Sequence, residues 1–398
     1  MVSETFIVNQ ITSLLDSGHA VTIFSYYPGD DETLHPKVVE YDLLSRTHVF
    51  KAKPESILKR LIFFLGFTFK NLFRINAKTY FRSLNIFKFR RKALNLSIFY
   101  EAKWFVNRKD FDIVHVHFGV NAKRIAYLKY LGFLKQTRLV TTFHGYGLIP
   151  NQVSRYQLIY RHIFNFSDVI TVNTDYLKQV LVKMEVEGEK IHILPVGLDT
   201  DYFKSDGQIK DGKTIIFCGR LIPLKAPDTA IEIVNRLVKN GFSEIRLVLI
   251  GDGEMKDQLK DQVKTYNLEG HVVLMGSQPQ NIILSEMDKA SVFILPGIKD
   301  PNNGRAEAQG LVIQEAQSMK LPVVVSNVGG MKYGLLQDKT GFVVEEGDIE
   351  AYVDKITLLL NNDNLRNTMG REGRRFVQKN YDNMVLGDKL IDIYRNCH

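Results

Sequence analysis

The chain has 398 residues, 45% of them hydrophobic and 24% charged, with a formal net charge of +8. These values exclude disorder and collagen-like repetition, and the length admits two domains with a sizeable core each. The longest apolar run, Leu61 to Phe69, has nine residues, under half of the ~20 that a membrane-spanning helix needs.

At the start, MVSETFIVNQ lacks the basic and apolar segments of a secretory signal. Two cysteines far apart, Cys218 and Cys397, offer no disulfide framework and no metal-ligand spacing. A reducing, cytoplasmic setting is expected. Residues 51–110 then concentrate the positive charge: fifteen Lys or Arg, among them Arg60, Lys70, Arg74, Arg90 and Lys103, stand against three acids. Thirteen aromatics, including Phe63, Phe69, Phe73, Phe81, Phe87 and Trp104, are interleaved with them. Rings that enter a headgroup region and cations that meet lipid phosphates suit an anionic membrane surface. Nucleic acid is the rival partner and a helical insertion with inward-facing rings the plain alternative. The membrane reading is preferred, with no nucleic acid.

Short β-branched runs alternate with helical patterns throughout: HAVTIFSYY, FDIVHVHFG, TRLVTTFHG, DVITVN and KIHILPVG, then KTIIFCGR, IRLVLIGDG, HVVLMGS, SVFILPG, LPVVVSN and GFVV. Near-continuous apolar strands between helices predict parallel sheets covered on both faces. Eleven are too many for one doubly wound sheet, so the expected fold is α/β, with two Rossmann-like doubly wound domains facing across a cleft. Between them, residues 195–213 lose apolar content. The first domain is placed at 1–195 and the second at 206–379. The last segment, 380–398, reads as an amphipathic helix through Met384, Leu386, Leu390, Ile391 and Ile393.

Chemistry concentrates at predicted strand ends. In GRAEAQGLVIQEAQ, a helix starting near Leu311 puts Glu307 on the preceding loop and Glu315 one turn in, with free N–H groups near Gly310 between them. Carboxylates accept hydrogen bonds from hydroxyls, so this layout matches a nucleotide sugar. In FCGRLIPLKAPD, Gly219 ends a strand, and Arg220 and Lys225 follow as partners for a diphosphate. Gly251 sits in a tight GDGE turn. His144 and Gly145 close the TTFHG strand, where the imidazole has a sugar hydroxyl within reach, or the backbone carbonyl steadies positive charge. A metal site from His115, His117 and His144 lacks a completing ligand, and Asp199-Thr200-Asp201 reads as a turn.

The ordered motifs HVHFG, TTFHGYG, HILPVGLDTDYF, GRLIPLK, GDGE and Glu307-x7-Glu315 resemble retaining glycosyltransferases of family 4, exopolysaccharide and colanic-acid type, with the GT-B fold. The resemblance implies that Arg220 and Lys225 bind the donor diphosphate, Glu307 and its adjoining backbone the donor sugar, and Glu315 the ribose. Gly219, Gly251, Gly310 and Leu311 would surround the donor, and His144 would lie near its sugar. It also implies no cofactor or divalent metal, a C-terminal helix crossing back to the first domain, and front-face substitution with retention. The activity expected is hexose transfer from a nucleotide diphosphate sugar to a lipid-linked or saccharide acceptor, peripheral to the inner face of the plasma membrane.

Three departures stand out. The chain opens at Met1-Val2-Ser3, past a first strand and glycine-containing loop; Gly147 replaces a frequent Asp; and Lys332-Tyr333 replaces a common Pro-Glu. They keep open a GT-B protein that binds nucleotide sugar or membrane without turnover, and less readily a sugar-nucleotide epimerase.

Overall fold

The computed structural model describes residues 5–26, 34–50, 53–106, 111–207 and 212–397. Expectations placed on Lys51, Arg108, Lys109 and linker residues 208–211 lie outside the described residues. The described strands form three parallel sheets. A two-stranded sheet pairs β1 (Ile23–Ser25) with β2 (Thr47–Val49), and a four-stranded sheet takes β3 (Ile113–His117), β4 (Arg138–Phe143), β5 (Val169–Val172) and β6 (Ile191–Ile193) in sequence. The third contains β7 (Thr214–Cys218), β8 (Arg246–Ile250), β9 (Val272–Gly276), β10 (Val292–Leu295), β11 (Val323–Ser326) and β12 (Gly341–Val344), in the spatial order β12-β11-β10-β7-β8-β9. All eleven predicted runs contain a strand. The additional one, β2, is three residues long, too short for alternation to be read.

In the third sheet β7 lies between β8 and β10, so chain order reverses there and opens a crevice at the carboxyl end of β7. The sheet is apolar on both faces, and Val292, Phe293, Ile294 and Leu295 are all buried. Helix Pro227–Lys239 covers it with Ala230, Ile231, Ile233, Val234 and Leu237. Pro227 opens its first turn and Gly241, at φ +96°, follows its end.

The final helix, Asn383–Arg395, leaves the second domain beside Leu198, which bridges Asp382. Leu386, Leu390 and Ile393 then join Val140, Val169 and Leu194 in one apolar cluster of the first domain. Met384, counted on this face from spacing, is instead 66% exposed. It is the second residue of the helix, ahead of Leu386, the first of the helix to join that cluster. Among the described residues, no helix is long and apolar enough to cross a membrane.

Candidate active site

The two domains meet through the loop before helix Leu311–Ser318. Thr174 Oγ1 donates to Ala308 O at 2.8 Å, and Gln309 clasps Val196 twice, accepting from its N–H and donating to its carbonyl, both at 2.8 Å. Gly145, at φ +91°, lies so close that an added Cβ would stand 2.7 Å from Ala308 Cβ. Strand ends of the first domain therefore face the loop that carries Glu307.

Glu307 and Lys225 form an ion pair, with their side chains 19% and 12% exposed. Burial pushes the Glu307 carboxyl up, but the Lys225 ammonium, the bond to it, the Gly310 N–H and the Arg220 charge together hold it below the usual carboxylate range. Gly310, at φ +76°, caps the helix, and the Leu311 and Val312 N–H groups have no partner within it. Arg220 follows Gly219 at the end of β7, is exposed, and makes no ion pair among the described residues. One cation of the pair is thus free and the other already held.

Glu315 lies in the second turn of the same helix with no hydrogen-bond or ion-pair partner among the described residues. Burial lifts its carboxyl to about 7, a rise the Lys225 charge only partly offsets. The neighbouring Cys218 thiol is pushed up to about 12, first by burial and then by the Glu315 charge, so it stays protonated.

Gly251 supports this site from behind. At φ +146°, its added Cβ would lie 1.8 Å from Gly219 O, and one on Gly253 would lie 2.3 Å from Leu221 O. The GDGE turn is a backbone brace for the Arg220 loop, held by Leu221 N donating to Asp252 O at 2.9 Å. Reading the sequence did not assign Gly329 and Gly330 to the site. Gly330 N donates to Glu307 O at 2.7 Å, and its own Cβ would stand 1.9 Å from Ala308 O. The doubled glycine after β11 was the available signal.

In the first domain, His144 spends both ring nitrogens on protein partners: Nδ1 on Asn173 Oδ1 and Nε2 on His117 Nδ1, each at 3.0 Å. The expected ring contact with a sugar hydroxyl is therefore not available in this arrangement, which leaves the backbone carbonyl. His115 bonds to the Tyr394 hydroxyl at 2.7 Å and to Thr142. Asp199 closes its turn by accepting from the N–H groups of Asp201 and Tyr202. Among the described residues no cluster of three or more His, Cys, Asp or Glu is arranged to hold a metal ion.

The basic, aromatic block divides into two populations. Phe89, Phe99, Tyr100 and Phe105 are buried in the first-domain core. Arg60 is also buried, donating to the carbonyls of Pro54, Glu55 and Asn95, and Lys103 lies over the Phe63, Tyr100 and Trp104 rings. These two cations are structural, which corrects their assignment to a lipid-facing surface. By contrast, Leu58, Leu61, Ile62, Leu65 and Phe69 recur at helical spacing on helix Ile57–Lys70 and are 45–86% exposed. Phe73 and Phe87 are each 99% exposed. Lys59, Lys70, Arg74 and Lys78 are exposed in the same segment.

The Glycosyltransferase Family 4 profile matches residues 3–202, and Glycosyl transferases group 1 matches residues 199–376. Among solved structures, HepE of Anabaena in complex with UDP superimposes with a TM-score of 0.74 at 14% identity, over 98% of this chain and 95% of that one. Two Rossmann-like domains sharing one crevice have the GT-B fold of glycosyltransferases. The chain belongs to glycosyltransferase family 4. It is 27% identical to WcaL of Escherichia coli (strain K12), named for colanic acid biosynthesis, over 98% of this chain and 96% of that protein. It is 26% identical to a UDP-Gal:alpha-D-GlcNAc-diphosphoundecaprenol alpha-1,3-galactosyltransferase of Escherichia coli, over 73% of this chain and 76% of that protein.

Proposed function

We propose that this glycosyltransferase moves a hexose, with retention, from a nucleoside diphosphate sugar to a lipid-linked acceptor during assembly of an extracellular polysaccharide, working peripherally on the cytoplasmic face of the membrane. The observation that carries the reading is the convergence of Arg220, Lys225, Glu307, Glu315 and the N-terminus of helix Leu311–Ser318 on one crevice. Two cations and a helix N-terminus suit a diphosphate, and carboxylates on either side suit hydroxyls. The names of the two Escherichia coli relatives support the polysaccharide and the lipid-linked acceptor.

In this reading Glu307 is a positioning carboxylate, because Lys225 and Gly310 hold its oxygens. The acceptor oxygen bonds to the anomeric carbon on the face from which the phosphate oxygen departs. The hydroxyl proton passes to that departing oxygen, and the crevice supplies orientation and charge stabilisation. No metal is required, since Arg220, Lys225 and the helix N-terminus neutralise the diphosphate.

Saturation-transfer NMR with a panel of UDP- and GDP-sugars tests the donor assignment. Binding by at least one, retained in EDTA and weakened roughly tenfold or more by Arg220→Ala, is the expected result. Failure of every member to bind the wild type would overturn it.

Glu315 adds a pH dependence. A carboxylate accepts from both ribose hydroxyls only when ionised, and this one loses its proton near pH 7. Nucleoside diphosphate affinity should therefore rise about tenfold between pH 6 and pH 8. Calorimetry of Glu315→Gln should show a weaker and flatter profile.

A further inference from the structure

The histidines at the ends of β3 and β4 form a directional row with one atom left over. Asn173 Oδ1 can only accept, so His144 carries its proton on Nδ1 and its Nε2 is a lone pair. That lone pair receives the Nδ1 proton of His117, whose ring lies nearly parallel to that of His144, at 12°. His117 is thereby fixed with an unprotonated Nε2. This nitrogen has no hydrogen-bond partner among the described residues.

We propose that His117 receives a hydroxyl of the acceptor sugar on Nε2, with His144 and Asn173 as the relay that fixes its tautomer. The inference rests on the reading that a sugar is transferred in this crevice. Its position sets which substrate is met. Gly145, after β4, touches Ala308 beside Glu307, whereas β3 lies one strand further out. A hydroxyl that reaches His117 comes from the first-domain side, away from the diphosphate.

Burial, with the neighbouring imidazoles, keeps His117 far below the usual histidine range. It therefore accepts a hydrogen bond that orients the acceptor sugar without removing a proton, and the reacting hydroxyl is a different one of the same sugar, whose own proton passes to the departing phosphate oxygen.

Two measurements test the proposal. Diethylpyrocarbonate attacks an imidazole nitrogen with a free lone pair, so peptide mapping should find carbethoxylation at His117 and none at His115 or His144. Modification of His144 with His117 untouched would overturn the tautomer assignment, whatever the substrate.

The second compares His117→Asn, which retains an N–H near the Nδ1 position for His144, with His117→Gln, which places a carbonyl oxygen near the Nε2 position. The assay uses GlcNAc-diphosphoundecaprenol and the UDP- or GDP-sugar that binds in the NMR panel. Asn should raise the acceptor KM at least about tenfold, Gln should restore most of it, and UDP or GDP affinity should be unchanged in both. Equal acceptor KM in wild type and Asn, or equal defects in Asn and Gln, would overturn the proposal. Failure of the wild type to bind any nucleotide sugar removes the transferase reading instead, and the carbethoxylation map still decides the tautomer.

Discussion

Glu307→Gln is expected to reduce turnover by about 10²-fold or more while leaving nucleoside diphosphate affinity intact or stronger. Without a ligand, the Lys225 ammonium is held by the Glu307 carboxylate inside the protein. A diphosphate entering the crevice competes with that carboxylate for the same cation. Gln removes the competing charge and frees Lys225, but it forfeits the ionised group that would hold and orient the donor sugar.

Lys225→Ala should behave in the opposite way. It weakens diphosphate binding and leaves Glu307 buried without its cation, a loss of about 3–5 kcal/mol of stability. Calorimetry with UDP and GDP, a transfer assay and thermal unfolding separate the two variants. If Glu307→Gln lost diphosphate affinity as steeply as turnover, Glu307 would belong to the diphosphate site.

The second large effect concerns the surface of residues 57–92. Replacing Phe69, Phe73 and Phe87 together with Ser should lower binding to vesicles containing anionic lipid at least a hundredfold, because each ring contributes about 1.5–3 kcal/mol when removed from water. All three are 86–99% exposed, so little folding stability should be lost with them. Reversing Lys70, Arg74 and Lys78 to Glu should act through salt instead. At about 1 kcal/mol per cation near the leaflet, the charge contribution should fade as the screening length shrinks from ~10 Å at 0.1 M to ~3 Å at 1 M salt. Wild-type binding that persists at 1 M salt measures the apolar part. Equal sedimentation of wild type and triple Ser variant with anionic and neutral vesicles would refute a membrane-docking face.

The sequence alone determined the elements and the site's inventory. Strands such as TIIFC and VFIL are legible because sheets covered on both faces demand uninterrupted apolar runs, and Pro227 and Gly241 bracket a helix whose buried positions repeat every three to four residues. Gly310, ahead of a periodic apolar run, marks where helix Leu311–Ser318 begins and hence how Glu307 and Glu315 are spaced along the chain. Period, caps and spacing are local properties, so they survive without coordinates.

Tertiary structure decided which partner each charged or polar group finds. Lys225 and Glu307 are 82 positions apart, and their pairing depends on how β7 and the loop after β10 are brought together in one sheet. The saturation of the His144 ring requires β3, β4 and β5 side by side, and the separation of buried Arg60 and Lys103 from exposed Lys70 and Arg74 depends on which helix face meets the core. Hydrogen bonds and burial are relations between distant segments. A composition of cations and rings states how many such groups exist, and only the packed fold states which of them remain free to meet a ligand.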